Sequence, residues 1–246
     1  MSIRSHREFE KLRAIGRIVR LALDRTRAAV RPGVTTRELD EVGARVLAEH
    51  GAESAPPKVY KFPGALCISV NEEAIHGIPG DRVIREGDMV KLDLVAEKDG
   101  FFADAAVTVL VGAVSDQASR LARCAESAFH LATRQAVIGN RVYDIGRAVE
   151  QETHRCGFAV MRDLCGHGVG RTIHESPQVP NFFDRRFRHR LTEGLVITIE
   201  PILAAGSGKG DLQKDGWTIQ TEDRSLSAHF EHTVVVTKGA PILLTA

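Results

Sequence analysis

From Glu8 to Val30 apolar residues return at helical spacing. Leu12, Ile15, Ile18, Val19, Leu21 and Leu23 form one stripe, and Arg31-Pro32-Gly33 ends the run. Thr35 or Thr36 is placed to cap a second helix reaching about His50, with Gly51 at its end. Strands or loops are then expected up to Val111. Within them Met89 to Ala96 (MVKLDLVA) and Phe101 to Val111 (FFADAAVTVLV) flank the turn signal Lys98-Asp99-Gly100, which predicts an antiparallel hairpin. Another helix pair is expected over Gln117 to Ile138 and Val142 to Cys156, with strands filling the remainder. Helix, helix and sheet therefore occur twice, an α+β order that prompts a search for internal duplication.

Short correspondences support one. Gly33 and Gly51 bracket the second helix as Gly139 and Gly157 bracket the fourth, at a single offset. Cys67, Ile75, His76 and Pro79 are spaced as Cys165, Ile173, His174 and Pro177 are. Asp93 and Glu200 are both carboxylates late in an apolar strand. The expectation is one domain over residues 1–246, built from pseudo-symmetric halves of about 1–112 and 113–246. His76 and His174 would then flank a central site from opposite sides of a shared curved sheet.

The hairpin carries the first chemical signal. Asp93 and Asp104 sit on its two arms at similar heights, and like charges on a half-buried sheet repel unless a cation joins them. Matching donors occur elsewhere: His167 in CGHGVG, Glu200 closing GLVITIE before Pro201, and Glu231 opening EHTVVVT. Four carboxylates carry a formal charge of about −4, which balances two divalent cations and would over-charge a single zinc. Asp93, Asp104, His167, Glu200 and Glu231 are thus expected to form a dinuclear centre. Its oxygen-rich donors suit Co, Mn, Fe or Mg at least as well as Zn.

Composition narrows the setting. With 43% apolar and 26% charged residues the chain has ordinary soluble-protein composition, and a formal charge of +1 argues against an extended nucleic-acid surface. No apolar stretch approaches membrane-spanning length, and the charged start lacks a signal-peptide core, so a cytoplasmic protein is expected. Cys67, Cys124, Cys156 and Cys165 are scattered without a CxxC pair, which indicates reduced thiols.

Taken in order, VNEEAIHGIP, KLDLVAEKDGFFAD, CGHGVGRTIHESPQVPN, ITIEP and DRSLSAHFEHTVVVT closely resemble the type I methionine aminopeptidases, over nearly the whole chain. The resemblance implies the pita-bread fold of the M24 metallopeptidases, with helices on the outer face of a curved antiparallel sheet. It assigns the five donors above as metal ligands, Asp104 and Glu231 as bridging carboxylates, Asp93 to one metal, and His167 with Glu200 to the other. It implies removal of an initiator methionine before a small second residue, by attack of a metal-bridging hydroxide on the first peptide bond. Glu200 would shuttle the proton, His174 would hydrogen-bond the carbonyl oxygen, and His76 would orient the substrate or assist the leaving nitrogen.

The same resemblance places Cys67, Phe62, Ile173, His76 and Trp217 around the methionine pocket, with Tyr60 nearby. Bacterial relatives often carry tyrosine where Phe62 stands, phenylalanine where Ile173 stands and an acid where Ser176 stands, so a wider or differently gated pocket is expected. His229 and His232, flanking Glu231, are read as structural. No room is seen before Glu8 for the extra domain of prolidase-like relatives, nor between His174 and Glu200 for the type II insertion, which favours the short bacterial form. The implied partners are methionyl peptides and nascent chains, with a ribosome contact open and a monomer expected. Because Ser2 is small, the protein is also expected to process its own N-terminus. A pita-bread scaffold without catalysis and an Xaa-Pro peptidase are the competing readings.

Overall fold

Ser5 caps the first helix by accepting from the Glu8 amide, and Thr35 with Glu38 forms a reciprocal capping box at the second. The computed structural model describes residues 1–246. Its first half contains α1 (His6–Ala29), α2 (Thr36–Glu49), β1 (Glu53–Ser54), α3 (Ala55–Tyr60), β2 (Cys67–Val70), β3 (Glu73–Ile75), β4 (Met89–Lys98) and β5 (Phe101–Leu110). There follow α4 (Asp116–Thr133), α5 (Val142–Cys156), β6 (Ala159–Val160), β7 (Cys165–Gly168), β8 (Glu175–Pro180), β9 (Val196–Ile199) and β10 (Ile202–Ala204). The chain closes with β11 (Gly210–Leu212), β12 (Ile219–Thr221), β13 (Ser227–His229), β14 (Glu231–Val235) and β15 (Ile242–Leu243).

The main antiparallel sheet runs β1-β4-β5-β14-β9-β7-β8, with β2 on β4 and β15 on β14. Two three-stranded sheets, β13-β10-β6 and β11-β12-β3, stand beside it. Alternation along β4 separates its faces. Leu92, Leu94 and Ala96 join Ile15, Ile18 and Leu39 in one core, whereas Val95 packs with Ala55 and Ile173. Leu92 and Leu94 are fully buried, and each such side chain contributes about 2 kcal/mol. A second core joins Leu121, Ala125 and Phe129 of α4 to Ile197, Ile199 and Val234 of the sheet. Helices thus cover one side of the sheet and leave Asp93, two residues from Val95, on the other.

Three expectations change in detail. The hairpin turn is only two residues, because Lys98 pairs with Phe101, and Asp99 and Gly100 take φ of 53° and 80°, as a primed turn needs. In that register Asp93 faces Ala106 and Asp104 faces Val95, so the two aspartates are diagonal neighbours on one face and not directly opposed. Helix α4 stops at Thr133, short of Ile138, because Val137 bridges to Thr237 and the Ile138 amide donates to the Thr237 carbonyl. Tertiary pairing there outweighs a helical apolar pattern.

No helix is long and apolar enough to cross a membrane. Met1 is buried. Its amino group lies 2.7 Å from Glu175 Oε2 and donates to the Val169 carbonyl, and its own carbonyl accepts from Val196. Cleavage after Met1 in the folded chain would first require this segment to leave the sheet.

Candidate metal centre and its cavity

β4, β5, β7 and β14, with the residue that follows β9, each bring one donor to the open side of the main sheet: Asp93, Asp104, His167, Glu231 and Glu200. All five line one cavity of about 400 Å³. Asp104, His167 and Glu231 offer ligand atoms within 4.8 Å of one another, a tighter group than the full set of five. His167 Nε2 lies 3.6 Å from Asp104 Oδ2 and 3.7 Å from Glu200 Oε2.

Local packing fixes these side chains. A Cβ on Gly166 would come within 2.7 Å of the Thr198 carbonyl, and one on Gly168 within 2.4 Å of the Ser176 carbonyl, so glycines on both sides let β7 lie close to its neighbours. Thr198 accepts from the His167 amide at 3.0 Å and donates to Glu200 Oε2 at 2.9 Å. Thr233 ties β14 to β5, accepting from the Asp104 amide and donating to the Asp104 carbonyl. His167 Nδ1–H donates to the Gly168 carbonyl at 3.0 Å, which leaves the Nε2 lone pair directed toward carboxylate oxygens.

That assembly fits a divalent cation. A lone pair and carboxylate oxygens cannot hydrogen-bond one another, and Asp104 Oδ1 and Glu231 Oε1 are buried without any partner. Burial, then Glu200, pushes Asp93 up to about 7, and burial pushes Glu200 up to about 7. Burial, followed by neighbouring carboxylates, drives Asp104 and Glu231 well above the usual range. In the absence of positive charge these shifts oppose full ionisation of the cluster. Desolvation, then His174, lowers His167 to about 4, so its ring is neutral and able to ligate.

The remaining expected residues line the same cavity. Burial, then His174, lowers His76 to about 4, and burial also lowers His174. His76 has a left-handed backbone (φ 57°), an arrangement that costs about 1 kcal/mol and concentrates at functional sites. The His174 ring meets the His167 ring edge-on, with centroids 4.2 Å apart, and its Nδ1 is 2.6 Å from the Tyr60 hydroxyl. Phe62 meets Trp217 edge-on at 5.2 Å and is only 4% exposed. Cys67 and Ile173 are buried in the same wall.

One lining residue was read as structural from sequence. His229 is buried beside Glu231, and burial, then His76 and Lys91, lowers it to about 3. The signal was present: His229 and Glu231 are two apart in an extended run and so share a face, while His232 turns to the helix side and meets Thr245.

Residues 10–238 match metallopeptidase family M24. The chain is 42% identical to methionine aminopeptidase 2 of Bacillus subtilis (strain 168), covering 100% of this chain and 99% of that protein. It is 40% identical to the methionine aminopeptidase of Clostridium perfringens, covering 99% and 98%. The solved methionine aminopeptidase of Rickettsia prowazekii superposes with a TM-score of 0.95 at 35% identity, over the full length of both chains. Prolidase from Pyrococcus furiosus shares the fold at a TM-score of 0.80 and 21% identity, with 65% of its chain covered. Architecture, donor set and full-length likeness converge: the chain has the pita-bread fold and belongs to metallopeptidase family M24.

Proposed function

We propose that the protein is a metal-dependent aminopeptidase that removes an initiator methionine standing before a small residue. The carrying observation is one cavity whose floor holds three buried carboxylates, a half-buried fourth and a neutral imidazole, and whose wall is apolar and aromatic. Asp93, Asp104, His167, Glu200 and Glu231 would hold two divalent cations, balancing a formal charge of about −4. Bound cations supply Lewis acidity that activates water and polarises a peptide carbonyl. Co, Mn, Fe, Zn and Mg are the candidate ions.

The protein's own groups then divide the work. Glu200 would receive a proton from water and pass it to the leaving amine. Burial raises the Tyr60 phenol, which stays protonated and donates to His174 Nδ1; His174 then carries its own proton on Nε2, free for the substrate carbonyl oxygen. His76 orients the peptide from the other side. Cys67, Phe62, Ile173 and Trp217 hold the methionine side chain, and Tyr60 closes the wall. Nascent chains in the cytoplasm are the proposed substrates.

The test is direct. Purified protein with added Mn²⁺ or Co²⁺ should release methionine from Met-Ala-Ser, lose that activity on chelation, and leave Xaa-Pro peptides intact. Hydrolysis of the prolyl peptide alone would reassign the substrate, and no hydrolysis of either would leave a binding scaffold. His174→Ala should lower kcat about 10²- to 10³-fold, the usual effect of losing one oxyanion donor. Unchanged kcat would remove His174 from the reaction.

A further inference from the structure

His229 stands apart from the groups used above. It is 2% exposed in the cavity wall, and neither ring nitrogen has a hydrogen-bond partner. Its backbone is fixed: the amide donates to the Thr108 hydroxyl at 2.9 Å, and the same hydroxyl donates to the His229 carbonyl at 2.8 Å. Pairing of β13 with β10 sets His229 opposite Ile202. Buried polar atoms without partners are rare in folded proteins, and two on one imidazole point to a missing interaction.

The nearest acceptor is Glu231. His229 Nε2 lies 3.4 Å from Glu231 Oε2, beyond the ~2.8 Å of a charge-assisted hydrogen bond, and Glu231 Oε1 is itself orphaned. His229 is the neutral group already beside it.

We propose that His229 is a positioning residue for Glu231: its Nε2–H donates to Glu231 Oε2 and so holds that carboxylate ready for the cations. The assignment rests on the metal-ligand reading of Glu231. It gives His229 the part played by the outer groups that orient ligating side chains in metal sites, whose removal weakens metal binding about 10- to 100-fold.

Cation-free protein titrated with Mn²⁺ alone, followed by calorimetry and by the Mn²⁺ resonance signal, separates the possibilities. His229→Phe keeps a ring and removes the donor, whereas His229→Gln keeps an N–H. The phenylalanine variant should bind its tightest Mn²⁺ about 10- to 100-fold more weakly and lose kcat with KM little changed, and glutamine should restore affinity to within about threefold. Wild-type Mn²⁺ affinity in the phenylalanine variant would overturn the proposal. So would equal weakening in both variants accompanied by equal loss of thermal stability, which marks a packing role. Wild-type protein that takes up no Mn²⁺ would overturn the metal reading itself.

Discussion

Asp104→Asn is expected to abolish most peptidase activity while making the cation-free protein more stable. Loss of one ligand from the centre should cost about a thousandfold in kcat/KM, roughly 4 kcal/mol of transition-state stabilisation. The stability gain follows from burial. Asp104 is 4% exposed, and desolvation, then Asp93 and Glu200, holds its carboxyl well above the ordinary range. A carboxyl raised in this way costs nothing below its unfolded pKa near 4, and costs more as pH rises toward the folded value. Asparagine removes that cost and offers an amide proton toward the His167 lone pair. The gain should be about 2 kcal/mol near pH 8, seen as a rise of roughly 5 °C in Tm, and should shrink toward pH 5. A fall in the Tm of the cation-free variant at pH 8 would show that Asp104 is not under charge stress.

Mn²⁺ binding to the cation-free protein should strengthen about tenfold or more per pH unit between about pH 5.5 and 7, with proton release measurable by calorimetry in buffers of different ionisation heat. Asp93 and Glu200 are both raised to about 7, chiefly by burial, so below that pH protons occupy the oxygens that cations need. Burial, followed by neighbouring carboxylates, raises Asp104 and Glu231 well above the usual range as well, which adds to the slope. His167, lowered to about 4, contributes nothing in this window because its nitrogen is already free. Affinity independent of pH would mean that the carboxylates are ionised before the cation arrives, against the burial described here.

Much of this was legible in the residues. Thr35, Glu38 and Gly51 announce α2, and Asp99-Gly100 announces the β4–β5 hairpin, because caps and tight turns depend on side chains within a few positions. The five candidate donors that the fold brings to one cavity could be named from their residue types in or just after apolar runs. Other features depend on distant partners. Nothing near Ile138 reveals that Thr237 will pull the chain out of helix, and nothing near Asp93 fixes its diagonal relation to Asp104. His229 was passed over because a lone histidine beside a donor gives no sign of whether its nitrogens find partners. Tyr60 was expected near the pocket, but its pairing with His174 joins residues 114 positions apart and needs the fold to be seen.

The place of β14 has a consequence for when the molecule becomes competent. This strand, late in the sequence, is inserted between β5 and β9, and Thr233 bonds to Asp104 across 129 positions. Contacts between such remote stretches form slowly, since a large loop must close before they repay its lost freedom. A chain still emerging from translation with β14 unmade has an unjoined seam through its widest sheet and lacks Glu231. On the proposed function, such a chain is expected to lack peptidase activity until its own manufacture has passed that strand.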